Sequence, residues 1–197
     1  RLLPIAPLIE KQASTLPGGA RTLSTMKPAE LRSIASQVTY KRAEENKGIA
    51  DFCIDLGASE DDFNETLDLL ANFAAASGKN HKDRMPDVRI DGAALGLEGH
   101  RLERVPHGDV LNLWIGKIVN CCNHLAGDGS DMARNQFSSP DNALYIIRDR
   151  RDRPVAKLSG WLSREGNVVF NAWERKSDLE DFLLNRFALA AAIQILQ

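Results

Sequence analysis

Apolar and polar positions change their spacing along the chain, and the change separates a helical part from a mixed part. Before residue 79 the apolar residues recur every three or four positions, which is the spacing of one helix face. After residue 100, segments with this helical spacing alternate with segments in which apolar residues recur at every second position, as in strands. The pattern predicts an α+β protein in which a helical subdomain precedes an antiparallel meander packed on helices.

Four segments follow from this pattern. Residues 1–26 contain several prolines and glycines that break any long helix, so we interpret them as an extended arm. Residues 27–78 predict the helical subdomain, and 79–99 form a polar, glycine-bearing connector. Residues 100–197 form the mixed domain. A helical pattern still continues at Gln197, so we expect this domain to be truncated there.

The helical subdomain is predicted to contain two or three helices. The first begins near Pro28, a residue that favours the first turn of a helix, and its pattern is expected to continue through the charged stretch 41–47. Another helix should begin at Ser59, because Ser followed three residues later by Asp62 can cap the first turn. Gly78 is the predicted end of that helix.

The mixed domain shows a more detailed order of elements. Its elements are predicted as a strand over 101–105, a helix over 110–125, a Gly/Asp/Ser loop, strands over 143–148, 155–162 and 168–174, and a helix from about 178. The helix over 110–125 has a broad apolar face, which we expect to lie across the strands and to bury Trp114, Ile118 and Cys122.

Composition and charge exclude several classes of protein. The net charge of -2 argues against a nucleic-acid-binding chain, which normally has a basic surplus. No apolar run approaches the roughly 18 residues that span a bilayer, so no membrane partner is expected. Three cysteines at irregular spacing do not suggest a disulfide framework, which favours a reducing compartment and a cytoplasmic location.

The sequence Asn-Cys-Cys-Asn-His over 120–124 is the first candidate for chemistry. Cys121 could act as a thiol nucleophile, although a catalytic cysteine and its histidine usually come from separate elements. A zinc site would need a second, well-separated pair of ligands, and the sequence offers none. The alternative is structural, with Cys122 in the core and Cys121 at its rim.

Three further positions have a functional and a structural interpretation. Glu174 ends a predicted strand, where it could act as a general base or could simply favour the start of the following helix. The arginine-rich turn over 148–153 could hold a phosphate or an acidic partner, or could pair with its own aspartates. His107, in a turn before a helix, is predicted to be exposed to solvent.

The order strand, helix, loop, three-stranded meander and helix resembles the first two-thirds of the GNAT acyltransferase fold, over residues 100–196. The resemblance implies that 168–174 is the family's fourth strand, that Glu174 is the catalytic base, and that acyl-CoA is the cofactor. Its pyrophosphate would bind Arg175, Lys176 and Ser177. The chain departs from the family in having no glycine-rich signature at this loop.

Three functions therefore remain open. The first is a diverged bacterial GNAT-like protein that transfers an acyl group from acyl-CoA. The second is a non-catalytic interaction module that kept the fold without the cofactor, and that associates with a partner protein or with itself through the arginine-rich turn, the N-terminal helices or the apolar residues 2–9. The third is a hydrolase that depends on Cys121.

Overall fold

The computed structural model describes residues 53–77, 83–171, 173–176 and 180–196, together with the short stretches 29–30, 33, 39–42 and 45–48. The strands are β1 (Thr39–Arg42), β2 (Glu45–Gly48), β3 (Arg89–Asp91), β4 (Arg101–Val105), β5 (Asn142–Arg148), β6 (Pro154–Leu162), β7 (Val168–Phe170) and β8 (Glu174–Arg175). The helices are α1 (Glu60–Ser77), α2 (Leu111–Val119), α3 (Ser130–Ser138) and α4 (Asp181–Leu196). The predicted arm over 1–26 lies outside the described residues.

An antiparallel sheet with the strand order β3-β4-β5-β6-β7 forms the centre of the fold, and β8 also pairs with β6. From β3 to β7 each strand lies beside its neighbour in sequence, although two helices separate β4 from β5 along the chain. The sheet is curled. The predicted α+β class and the antiparallel meander are therefore confirmed.

Helices cover both faces of the sheet. On the central strand β5, Leu144 and Ile146 belong to the core formed with α1, α2 and α3, whereas Tyr145 and Ile147 belong to the core formed with α4. Successive side chains of a strand point to opposite faces, so this alternation places the two layers. The face toward α2 and α3 also carries the candidate site.

The N-terminus of α1 has the capping arrangement that the sequence predicted. The Asp62 backbone N–H donates to Ser59 Oγ at 3.2 Å, and the Ser59 backbone N–H donates to Asp62 Oδ2 at 2.9 Å. One turn later, Thr66 Oγ1 accepts a 3.1 Å hydrogen bond from the indole Nε1 of Trp114 in α2. Since Trp114 and Thr66 are both fully buried, this bond joins α1 to α2 inside the core.

Part of the prediction for the helical subdomain is wrong. Residues 41–47 were predicted to continue a helix, but Thr39–Arg42 pairs with Glu45–Gly48 in an antiparallel hairpin. Thr39 and Tyr40 have the β-branched and aromatic side chains that favour strands, and local pairing overrides the weak helical pattern of the charged stretch.

Helix α2 ends at Val119, six residues before the predicted end. Asn120 adopts a left-handed conformation with φ 60°, and its backbone N–H donates to the Gly116 carbonyl, which stops the helix. Helix α3 was missed and interpreted as loop. It buries only Ala133, Gln136 and Phe137, so it lacks the apolar stripe that would reveal it in the sequence.

Two polar turns lie at the ends of strands, one directly after β4 and the other between β5 and β6. His107 is only 8% exposed, contrary to the prediction, because its Nε2–H donates to the Asn142 carbonyl at 2.8 Å. In the arginine-rich turn, Asp149 pairs with Arg153 at 2.6 Å and Arg148 donates to the Asp152 carbonyl at 3.0 Å. The turn also pairs with β4, through Arg148 with Glu103 and Asp152 with Arg101.

Gly116 provides a test of this packing. A Cβ at position 116 would lie 2.4 Å from the Asn123 carbonyl oxygen, so Gly116→Ala must displace the loop that follows α2. We expect a loss of about 2 kcal/mol in the free energy of unfolding, although alanine normally stabilises a helix relative to glycine by about 1 kcal/mol. Urea unfolding measures it, with the exposed Lys117→Ala as control, expected within about 0.5 kcal/mol of wild type. A Gly116→Ala protein that gains stability would contradict the described loop packing.

Candidate functional site

Two polar side chains interrupt the otherwise apolar face that β6 turns toward α2. Lys157 and Ser159 are two residues apart and so point to the same face, opposite Ile146 and Leu144 of β5. Lys157 is 2% exposed and Ser159 is 1% exposed. An ammonium group at this depth requires a charged or polar partner, because burying it alone is strongly unfavourable.

Glu174 is that partner. It lies directly opposite Lys157 where β8 pairs with β6, and its Oε2 forms an ion pair with Lys157 Nζ. Lys157 Nζ also donates to Ser159 Oγ at 3.1 Å. The three side chains form a continuous polar strip beneath α2, with Glu174 closest to solvent at 30% side-chain exposure.

A β-bulge separates β7 from β8. Phe170 pairs with Gly160, and Glu174 pairs with Lys157, so the outer strand advances four residues while β6 advances three. One extra residue on one strand defines a bulge, which bends the strand and changes the direction of the side chains after it. The single strand predicted over 168–174 is therefore two pieces, and Glu174 reaches the Lys157 side of the sheet because of this offset.

The loop after α2 brings Cys121 and Asn123 over the same strip. The Cys121 backbone N–H donates to the Gly116 carbonyl at 2.8 Å, and the Gly116 N–H donates to the Asn123 carbonyl at 3.1 Å. The Gly129 N–H closes the loop on the Cys122 carbonyl at 3.1 Å. These backbone bonds fold the loop back against its own helix, which fixes where the two side chains point.

The Cys121 thiol lies within reach of both charged groups of the strip. Burial raises its pKa from 9.0 to about 11, and the Glu174 carboxylate, which accepts a hydrogen bond from the thiol, acts in the same direction. The Asn123 backbone N–H and the Lys157 charge oppose this shift and are outweighed. Cys121 is therefore a protonated thiol at neutral pH, and Glu174 contacts both Lys157 and Cys121.

Two buried amides complete the cluster. Asn123 Nδ2 donates to Gln136 Oε1 of α3 at 3.2 Å and to Ser159 Oγ at 3.3 Å. Asn123 is 4% exposed and Gln136 is fully buried. Asn123 Oδ1 and Gln136 Nε2 have no hydrogen-bond partner in the described part of the chain, so one acceptor and one donor stay unused beside the Lys157 strip.

The structure brings together the two predicted catalytic residues, Cys121 and Glu174. The residues predicted to bind the pyrophosphate either have other partners or lie outside the described residues. Arg175 forms an ion pair with Asp181 of α4 at 2.9 Å, and the Lys176 backbone N–H donates to the Val155 carbonyl at 3.0 Å. Ser177 lies outside the described residues.

The assignment of the two cysteines to core and surface was partly wrong. Cys122, predicted in the core, is exposed, whereas Cys121 is half-buried and packs against the core. The cause is the early end of α2 at Val119, since the left-handed Asn120 rotates the residues that follow it off the helical face.

Four residues of the cluster were not predicted, namely Asn123, Gln136, Lys157 and Ser159. A signal for two of them was present in the sequence Val155-Ala-Lys-Leu-Ser-Gly160, where a lysine and a serine occupy alternate positions of an otherwise apolar strand. In a strand buried on both faces, such polar residues require partners. Asn123 and Gln136 carry no comparable signal, because both lie in polar stretches.

Comparisons with known proteins add no family. No family model matches the sequence, and neither the curated proteins nor the solved structures give a match.

Among the described residues, no three His, Cys, Asp or Glu side chains gather closely enough to hold a metal ion. None of the helices in that part of the chain is both long and apolar enough to cross a bilayer.

The reactivity of the three thiols tests the geometry of this site. At pH 8 we expect iodoacetamide to label the exposed Cys122 readily and Cys121 about 100-fold more slowly than an ordinary thiol, because a pKa raised from 9.0 to about 11 lowers the thiolate fraction by that factor. Cys53 is fully buried, and burial raises its pKa to about 12, so it should react only after unfolding. Peptide mass spectrometry over time measures the three rates. Faster labelling at Cys121 than at Cys122 would contradict the described site and favour a thiolate nucleophile.

Proposed function

We propose that this protein is a diverged GNAT-like acyltransferase that uses acyl-CoA. The order of elements supports the proposal, since β4 is followed by two helices and then by strands β5, β6 and the bulged β7–β8, all antiparallel to their neighbours. On the resemblance to that family, β7–β8 corresponds to the strand that carries catalytic groups. Helix α4 then follows the loop assigned to the cofactor.

The observation that carries the proposal is the cluster of Glu174, Lys157 and Cys121 directly after the bulge. Glu174 is the most solvent-accessible member of the strip, with Lys157 behind it and Cys121 beside it. A carboxylate held in one orientation by two partners is suited to accept a proton from an incoming nucleophile.

Each residue of the cluster has a role in this proposal. Bound acyl-CoA would supply the acyl group as a thioester. Glu174 would accept the proton of the attacking amine or hydroxyl group, while Lys157 and the Cys121 thiol hold the carboxylate in place.

The cofactor phosphates would be held by Arg175, Lys176 and Ser177. The Arg175–Asp181 pair is a surface contact, with the Asp181 side chain 79% exposed. Exposed ion pairs contribute little to stability, so a pyrophosphate could take the place of the Asp181 carboxylate at small cost. The Lys176 side chain is available for the same purpose, because only its backbone N–H is used by β6.

Acyl-CoA binding tests the proposal directly. We expect acetyl-CoA to give measurable heat in titration calorimetry and to raise the melting temperature. Arg175→Gln should weaken binding by about tenfold, because a charge-assisted contact to phosphate is lost. Glu174→Gln should retain binding but lose acyl transfer to an amine mixture by at least 100-fold. Glu165→Gln, a fully exposed carboxylate in the β6–β7 hairpin, is the matched control and should change neither. Absence of heat and of any thermal shift at millimolar acetyl-CoA would overturn the proposal.

A second candidate function is a non-catalytic interaction module, and one feature of α4 favours it. This helix buries Leu183, Leu184 and Phe187 against the sheet, yet it also exposes Phe182, Leu189 and Ile193 at 51%, 64% and 51%. An amphipathic helix that packs against one sheet normally has a polar outer face. The exposed apolar side chains suit association with a second protein or with another copy of this chain. Association through α4 was not predicted from the sequence, and the apolar residues 2–9, which were predicted to pack on a neighbour or on the helices, lie outside the described residues.

Association through α4 would depend on those exposed side chains. Leu189→Gln with Ile193→Gln should then abolish self-association or partner binding without lowering the melting temperature, because neither side chain is part of the core. Light scattering coupled to size-exclusion chromatography, over a tenfold range of concentration, measures the mass. A monomer at every concentration, for the wild type and for the double variant, would rule out self-association through α4.

The third candidate, a hydrolase that depends on Cys121, has less support. A thiol with a pKa of about 11 is protonated at neutral pH, and the group beside it is a carboxylate, which disfavours the thiolate.

A further inference from the structure

A concave site lies at the other end of the sheet, where β3, β4 and the turn between β5 and β6 meet. Its volume is about 340 Å³, which is at the small end of the range for ligand pockets. The polar residues that line it are Arg89, Asp91, His100, Arg101, Asp149 and Arg150. Three strand spacings of roughly 4.8 Å, or about 14 Å, separate Arg89 on β3 from Lys157 on β6, and no residue of the Glu174 cluster lines this site.

The two carboxylates of the lining already have partners. Asp149 pairs with Arg153 at 2.6 Å, and its Oδ1 accepts the backbone N–H groups of Arg151 and Arg153, each at 2.9 Å. Asp91 caps the short 3₁₀ turn Gly92–Leu95 by accepting the Ala93 N–H at 2.9 Å. Both carboxylates therefore stabilise their own turns.

The cationic groups are not all used in this way. Arg101 is occupied by Glu103 and Asp152. Within the described residues, however, the guanidinium groups of Arg89 and Arg150 and the imidazole of His100 have no hydrogen-bond or ion-pair partner, although carboxylates lie close by. The concave surface thus presents two unpaired guanidinium groups and a ring that can donate an N–H in either charge state.

Tight packing holds the backbone beneath Arg150 and His100 in place. Gly99 has φ +77°, and a Cβ there would lie 2.8 Å from Arg150 Cβ, so the loop before β4 rests directly against Arg150. At Gly92 a Cβ would lie 2.4 Å from the His100 carbonyl oxygen, which shows equally close contact on the other side of the loop. The backbone on this side of the concave site is therefore already fixed before a ligand binds, so binding costs little backbone conformational entropy.

We propose that this concave site binds a small anion of the phosphate class, a phosphate monoester or free phosphate. Guanidinium groups form paired, charge-assisted hydrogen bonds with phosphate oxygens, and a tetrahedral dianion can accept such bonds from several walls at once. A carboxylate has only two oxygens in one plane, whereas a phosphate monoester has three strong acceptor oxygens pointing in different directions. The small volume excludes an extended acidic peptide as the main occupant. This site does not depend on the acyl transfer proposed above.

The test uses inorganic phosphate and glycerol 3-phosphate as probes, in titration calorimetry at low ionic strength. We expect both to bind the full chain, and the ester to bind more tightly if the remaining volume holds its glycerol group. Arg150→Gln and Arg89→Gln should each weaken binding about tenfold or more, since each removes a charge-assisted contact. Arg164→Gln, an exposed arginine in the β6–β7 hairpin, changes the net charge equally and should leave affinity within twofold.

The results of this test distinguish free phosphate from a phosphate ester, and specific binding from general attraction to positive charge. Binding of phosphate alone assigns the site to the free ion, and tighter binding of the ester assigns it to phosphorylated metabolites. The proposal is overturned if neither probe binds at 10 mM, a concentration roughly tenfold above a millimolar dissociation constant. It is overturned equally if Arg164→Gln weakens binding as much as Arg150→Gln, because attraction to net charge would then explain the affinity. Circular dichroism spectra of the variants confirm that each is folded.

Discussion

The buried ammonium group of Lys157 is the constraint on which the candidate site depends. At 2% exposure it cannot be solvated by bulk water, so the surrounding chain must provide the compensating charge and hydrogen bonds. Glu174 and Ser159 do so. Glu174 reaches this position only because one extra residue between β7 and β8 shifts the pairing of the outer strand. The bulge and the ion pair are therefore both linked to the burial of the Lys157 charge.

The loop after α2 adds two further polar side chains to this buried cluster. Its fold depends on a left-handed Asn120 and on Gly116, where no side chain fits beneath the Asn123 carbonyl. The result is that Cys121 and Asn123 lie over the Lys157 strip instead of continuing along a helix. A rigid scaffold of backbone hydrogen bonds thus positions a small set of polar groups, which is how binding and catalytic sites are commonly built.

The strands of the mixed domain were predictable because their apolar spacing is strong. The strand over 101–105 has the predicted bounds, and β5 and β6 each begin one residue before the predicted start. Two of the parts that failed share a physical cause, which is that contacts with the rest of the fold decided the local conformation, namely the early end of α2 at Asn120 and the polar helix α3. The β1–β2 hairpin failed for another reason, because local strand pairing overrides the weak helical pattern of the charged stretch. In the site, Glu174 and Cys121 were predicted as candidates from the sequence and the structure brings them close together, but Lys157 and the bulge depend on strand register, which one sequence does not specify.

The measurement that tests this account most directly is a double-mutant cycle on Lys157 and Glu174, with stability measured by urea unfolding. Glu174→Gln alone should lower the free energy of unfolding by about 3 kcal/mol, because it leaves the Lys157 ammonium buried without its counter-charge. Adding Lys157→Met should restore at least half of that loss, since the double variant buries no unpaired charge. If Glu174→Gln costs less than about 0.5 kcal/mol, or if the two losses simply add, Lys157 does not depend on Glu174 and the described site is wrong.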